Sequence, residues 1–223
     1  MLIDFHTHTT ASDGALSPEQ LVDRARSRGI QLFAITDHDT VAGYRAAAAY
    51  YSPSEGEMSL LAGLEFSCVW SGATIHVVGL GVDCTHPVLE QGVARLAAAR
   101  IDRGDVIAER LEKLGFPGAL EGALLAAGDS QLGRPHFAAW MVEQGHVADV
   151  GTAFDRYLGR GKPGDVKAFW PTLAEVTGWI VAAGGVAVLA HPLKYKLTRS
   201  KLHRLVADFK DAGGEAVEVV NGR

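Results

Sequence analysis

Short apolar runs alternate with well-punctuated helical segments along most of this chain, and that alternation restricts the fold more than any other feature. Ser17, Pro18 and Gln20 open "LSPEQLVDRARSRG" as an N-cap, a first-turn proline and a capping-box partner, and Gly29 closes it. The next run, "QLFAITDHD", shows no polar alternation, as expected of a strand buried on both faces. A helix over "TVAGYRAAAAYY" follows, then a third strand within "MSLLAGLEFSCVW" and a fourth within "TIHVVGLGVD", joined as neighbours by the turn "SGA". The rhythm resumes late in the chain with the helix "TLAEVTGWIVAAGG", the strand "VAVLAHP", the helix "SKLHRLVADFKDAGG" and the strand "EAVEVV". Strands alternating with helices imply a parallel sheet, either open or closed into a barrel.

Between these blocks the pattern changes. "HPVLEQGVARLAAARIDRGDVIAERLEKLG" reads as a long amphipathic helix ended by Gly115, with shorter helices after it. The predicted organisation is therefore residues 1–85 as one part of an α/β domain, 86–165 as a helical insertion, and 166–223 as the second part.

The polar residues choose between barrel and open sheet. In "LIDFHTHTTASDG", His6 and His8 are two apart and so share one face at the end of the first strand, with Asp13 in the loop beyond. Asp37, His38 and Asp39 end the second strand, His191 ends a later one, and Glu65 and His76 lie in or near strand ends. A barrel gathers such ends on one face, where active sites are built. Imidazoles and carboxylates without thiolate favour zinc, manganese or iron over copper or an iron–sulfur cluster.

Composition excludes several classes. With 223 residues and a net charge of -5, the chain has no basic field to hold a long nucleic acid by its phosphates, so phosphate binding must be local. The two cysteines, Cys68 and Cys84, form no metal or redox motif, which fits a reducing compartment. No basic leader precedes the first strand and no apolar run approaches the ~18 residues of a membrane span, so no membrane association and a cytoplasmic location are expected.

The motifs "DFHTHTTASDG", "ITDHDT", "GLEFS", "IHVVGLGVD" and "AHP" resemble, in order, those of the polymerase and histidinol phosphatase (PHP) family. The resemblance implies a distorted (β/α)7 TIM-like barrel with a helical insertion covering the active site, and a cluster of two or three divalent ions, Mn2+ first with Zn2+ or Fe2+ as alternatives, that hydrolyses phosphoesters. It implies that His6, His8 and Glu65 hold one ion, Glu65, His76 and either His136 or His191 a second, and Asp13 with His38 a third. His191, His136 and Asp39 are the candidate catalytic groups. Which of the two histidines is ligand and which acid stays open, and one of Asp37 and Asp39 is expected to orient a metal-bound histidine.

"GRPHFA", "YLGRGKPG" and "AHPLKYKL" resemble the branch that releases phosphate from nucleoside 3′,5′-bisphosphates, such as 3′-phosphoadenosine 5′-phosphate, and trims short RNA from the 5′ end. The substrate is then a small nucleotide or a short 5′-phosphorylated RNA. There Arg134, His136, Lys162 and Lys194 occupy positions suited to substrate phosphates, Arg134 also preceding a helix N-terminus. The alternatives are a histidinol-phosphatase-like enzyme for small phosphomonoesters and a catalytically inactive metal-binding module. The second is encouraged by one departure: the family's final strand, with its Asp-x-His, is apparently absent after "VEVVNGR", where Asn221 ends the preceding strand. An open edge is a liability, so a fragmentary sequence is the expected explanation.

Overall fold

The Ser17 hydroxyl accepts the Gln20 N–H and the Gln20 amide oxygen accepts the Ser17 N–H, so the capping box forms as its residues dictate. The structure, a computed structural model, describes residues 1–52, 54, 57–167 and 169–219, and Asn221 lies outside them. The chain divides into two compact units, Met1–Leu96 with Trp170–Arg223, and Ala97–Phe169.

The first unit begins β1 (Ile3–Asp4), α1 (Pro18–Ser27), β2 (Leu32–Ala34), α2 (Ala42–Tyr50), β3 (Ser59–Leu61), β4 (Gly63–Trp70) and β5 (Ala73–Leu80). Helix α3 (Pro87–Glu112) carries the chain into the second unit, which contains α4 (Ala119–Ala127), α5 (Arg134–Glu143), α6 (Val150–Ala153) and a π-helical turn over Phe154–Leu158. The first unit resumes with α7 (Leu173–Ala182), β6 (Val186–Leu189), a 3-10 turn over Pro192–Tyr195, α8 (Arg199–Asp211) and β7 (Ala216–Val217).

Strands β1, β2 and β3 form a parallel sheet in that order, while β4, β5, β6 and β7 form a second sheet. In the second sheet β4–β5 and β5–β6 are antiparallel and only β6–β7 is parallel; β4 and β5 are the neighbours expected across "SGA", while the rest of this sheet departs from the parallel arrangement that the alternation implies. The cause is local. Ser71 and Gly72 sit at φ 47° and 75°, the left-handed pair of a two-residue hairpin turn, so β5 must double back on β4. The single strand expected over residues 58–70 is likewise broken in two at Ala62.

The sheets meet through backbone bridges next to the polar strand ends. His38 pairs in parallel with Glu65, with the Asp39 N–H donating to the Glu65 carbonyl at 2.9 Å and the Glu65 N–H to the Asp37 carbonyl at 3.0 Å. Among the described residues no ladder joins β7 to β1, so the fold is mixed α/β without a closed ring. An apolar cavity of about 820 Å³, lined by Ile3, Phe5, Val78, Val188 and Val217 among others, opens beside those two strands.

Phe33, Ile35, Leu64, Phe66 and Ile75 are at most 1% exposed and form the centre of the first unit, as continuous apolar strands require. The second unit packs its own core from Ile107, Leu111, Phe137, Trp140 and Met141. There Gly122 of α4 lies so close to Trp140 that an added Cβ would stand 1.9 Å from the indole. Gly122→Ala should therefore lower stability by about 2 kcal/mol despite the better helix propensity of alanine. Denaturant unfolding checks this, and an unchanged midpoint would contradict the packing. Among the described residues no helix is long and apolar enough to cross a membrane, and Cys68 and Cys84 are free thiols.

Candidate metal centre

Glu65 lies on β4 in a stretch buried on both faces, and it is 1% exposed. A carboxylate there needs partners, because an unpaired charge out of water costs many kcal/mol. Five imidazoles supply them. His6 Nε2, His8 Nε2 and His38 Nδ1 stand 3.3, 3.1 and 3.0 Å from Oε2, and His76 Nδ1 and His191 Nε2 each stand 3.1 Å from Oε1. Ring centroids 4.6 to 5.6 Å apart link His6, His8, His38, His76 and His191 in a closed circuit around it. The alternation reasoned for His6 and His8 explains the start of that circuit, since Thr7 between them turns away to donate to the Ala34 carbonyl at 2.8 Å.

Asp13 returns on its loop to accept from His8 Nδ1 at 2.7 Å, and its other oxygen lies 3.7 Å from His38 Nε2. Three groups of side chains can thus each converge on one cation: His6, Glu65 and His191; His38, Glu65 and His76; and His8, Asp13 and His38. All seven residues predicted as ligands are in these groups, which put His191 with His6 and His38 with His76.

Two acids hold this arrangement from behind. Asp37, 1% exposed, accepts the Thr9 N–H at 2.7 Å, the Thr9 hydroxyl at 2.7 Å and the Ser12 hydroxyl at 2.6 Å, fixing the turn that brings Asp13 back to His8. Gly43 makes room for it, since a Cβ there would lie 1.9 Å from the Asp37 carboxylate. Asp39, fully buried at φ 56°, accepts the Ser67 N–H at 2.6 Å and stands outside the three groups. Asp37→Ala should strand buried donors and lower stability by about 3 kcal/mol, and Gly43→Ala should act in the same direction. Chemical denaturation of both variants checks this, and wild-type midpoints would contradict it.

Two further residues, absent from the predicted set, touch the ligands. Glu218 receives His6 Nδ1 at 3.2 Å and the His191 N–H at 2.6 Å. Its signal was an acid at the end of the apolar strand "EAVEVV". The Tyr195 hydroxyl accepts the His76 N–H at 2.8 Å and donates to the Ala190 carbonyl at 2.9 Å, tying the 3-10 turn to β5.

The donor atoms fit a bound cation. His8 Nε2, His38 Nδ1, Glu65 Oε2 and His191 Nδ1 are buried and make no well-aligned hydrogen bond among the described residues, although the first two, with His6 Nε2, crowd Glu65 Oε2. Buried polar atoms are rarely left so, and imidazole with carboxylate is a suitable set for Mn2+, Zn2+ or Fe2+. Charge agrees. Burial would raise the Glu65 carboxyl, but the His38 and His76 imidazoles and hydrogen bonds from His191 and His6 hold it well below the usual carboxylate range. Burial drives His38 down to about 3, leaving it neutral and able to ligate. Burial also pulls His8 down, but the hydrogen bond to Asp13 and the Glu65 carboxylate beside it outweigh it and raise His8 to about 10. The metal-free protein therefore holds a proton on His8 at neutral pH, and ligation must expel it. Metal uptake at pH 7 should release protons and weaken as pH falls. Calorimetry in buffers of different ionisation enthalpy measures this, and a buffer-independent heat would contradict it.

Six of the seven candidate ligands, all but Asp13, surround a cavity of about 340 Å³ that Lys194 and Glu218 also line. Lys194 is thus the predicted phosphate contact that the structure places at the centre. Arg134, His136 and Lys162 belong to the second unit. Arg134 lies at the N-terminus of α5, donates to the Leu158 carbonyl at 3.0 Å and stands 3.9 Å from Asp165, and burial lowers its guanidinium. His136 Nδ1 accepts the Gly133 N–H at 3.1 Å, and Lys162 is exposed.

A family model described as PHP domain matches residues 4–101. The chain is 46% identical over 219 residues to the 5′-3′ exoribonuclease Rnm of Salmonella typhimurium, covering 98% of this chain and 75% of that protein. It is 41% identical over 221 residues to the 3′,5′-nucleoside bisphosphate phosphatase of Chromobacterium violaceum, covering 99% and 77%. A solved structure of an amidohydrolase from Chromobacterium violaceum, with bound sulfate and no metal, superimposes with a TM-score of 0.86 at 40% identity, covering 97% of this chain and 76% of that one.

Proposed function

Because the chain belongs to the PHP family, we propose that it is a metal-dependent phosphoesterase that releases phosphate from nucleoside 3′,5′-bisphosphates and trims short 5′-phosphorylated RNA. The observation that carries this is the closed circuit of five imidazoles on one buried carboxylate, with donor atoms that hydrogen bonding leaves unused. The relatives named for these two substrate types support the choice of substrate.

Three divalent ions would be held by His6, Glu65 and His191, by His38, Glu65 and His76, and by His8, Asp13 and His38. When bound, such ions neutralise phosphoryl oxygens and lower the pKa of water from 15.7 toward about 7. The protein's own groups prepare the rest. Lys194, at the cavity, offers a point charge to a phosphate oxygen. His191 acts as a ligand, because its Nε2 shares Glu65 Oε1 with His76, and Glu218 holds its backbone N–H in the left-handed conformation at φ 30°. Asp39 acts through the backbone by fixing Ser67 two residues beyond Glu65. Arg134, Lys162 and His136 are proposed as further phosphate contacts from their motif positions, with His136 also the candidate proton donor. The two parts of the PHP domain are taken as residues 1–85 and 166–223, with 86–165 as the insertion.

The test is phosphate release from 3′-phosphoadenosine 5′-phosphate, a nucleoside 5′-monophosphate and histidinol phosphate by Mn2+-loaded protein. The bisphosphate should be hydrolysed fastest. Preference for histidinol phosphate would overturn the substrate assignment, and release from none of the three would overturn the activity.

A further inference from the structure

From Lys194 to Arg204 the chain carries five cations, Lys194, Lys196, Arg199, Lys201 and Arg204, and no carboxylate, in a protein whose net charge is -5. All five side chains are exposed. The segment starts at the metal centre, where Lys194 lines the cavity and the Tyr195 hydroxyl accepts the His76 N–H at 2.8 Å. It ends against the tip of the β4–β5 hairpin, where the Arg204 guanidinium lies 5.3 Å from the Trp70 ring centroid and 3.4 Å from the Ser71 hydroxyl. His76 is three residues along β5 from Ala73, at the tip side of the hairpin, a span of about 10 Å at strand rise. The basic surface therefore leads away from the centre over a short distance. The nearest acid along the chain, Asp208, lies one helical turn beyond Arg204 and accepts the Trp70 indole N–H at 2.7 Å, so the uninterrupted run of cations ends there.

We propose that this basic track binds the downstream phosphodiesters of an RNA whose 5′-terminal nucleotide occupies the metal centre. The inference rests on the phosphoesterase activity proposed above and gives it a means of favouring oligonucleotides. A single-signed surface attracts a polyanion by releasing counterions from its phosphates, and the attraction falls with salt. Its small extent suits a few nucleotides, whereas the acidic remainder of the protein disfavours a long duplex. On this proposal a mononucleotide bisphosphate, held at the centre, draws on Lys194 and not on the cations beyond it.

The triple variant Lys196→Ala, Arg199→Ala, Lys201→Ala leaves the centre untouched and tests this. On a 5′-phosphorylated tetraribonucleotide at low salt its kcat/KM should fall about tenfold through KM, while turnover of 3′-phosphoadenosine 5′-phosphate stays unchanged. The slope of log affinity against log salt for the tetranucleotide should become shallower by about 2, since each neutralised phosphate of a single strand contributes about 0.7. Equal losses on both substrates, or none on the tetranucleotide, would overturn the track. If neither substrate is hydrolysed by the unmodified protein, the activity fails instead. Fluorescence anisotropy of a labelled tetranucleotide then still decides the track, which stands if the triple variant binds about tenfold more weakly and falls if it binds equally.

Discussion

Glu65→Gln should reduce phosphate release by about a thousandfold or more and leave little bound metal. The substitution preserves size, so its effect reports charge and ligation and not packing. Glu65 is the one side chain that all five imidazoles of the centre approach, at 3.0 to 3.3 Å. Two of the three groups able to hold a cation include it. An amide would present one weak acceptor and one pair of N–H donors to nitrogens that need an anion or a cation opposite them. Losing several kcal/mol of electrostatic stabilisation at the phosphoryl group gives the thousandfold figure, at about 1.4 kcal/mol per factor of ten. Elemental analysis alongside the phosphate assay reads both effects. A variant that keeps its metal and a tenth of its activity would show that Glu65 is a packing residue.

His8→Ala should be nearly as severe, by about a hundredfold or more in turnover. His8 joins the two halves of the centre, with Nε2 3.1 Å from Glu65 and Nδ1 2.7 Å from Asp13. Removing it detaches Asp13 and leaves the buried Glu65 with one cationic neighbour fewer. The raised His8 imidazole gives this variant a second signature, because proton release on metal binding at pH 7 should shrink with it. Wild-type turnover or unchanged proton release would place His8 outside the ion-binding set.

The side chains gathered around Glu65 were legible because each reports through a local rule. His6 and His8 follow strand alternation, while His38, Glu65, His76 and His191 interrupt or end apolar runs that a purely structural strand would leave apolar. Glu218 was not legible, because an acid in "EAVEVV" reads equally well as the solvent side of an edge strand; its partners, His6 and the His191 N–H, are 212 and 27 residues away. One of Asp37 and Asp39 was expected to steer a histidine, without a choice between them; Asp37 fixes the turn carrying Asp13, a role that depends on Thr9, Ser12 and the space at Gly43. The short turn at Ser71 and Gly72 was legible, but the antiparallel pairing of β5 with β6 that follows from it runs against the βα rhythm. Grouping the ligands needed coordinates as well, since spacing along the chain could not show that His191 stands with His6 and His38 with both His76 and Asp13.

The count of divalent ions per chain tests the account most directly. Elemental analysis of protein equilibrated with Mn2+ and freed of excess should give two or three ions per chain for the natural sequence and fewer than one for Glu65→Gln. An unaltered protein that retains less than one ion, or a Glu65→Gln variant that retains the full complement, would contradict a centre built on that carboxylate.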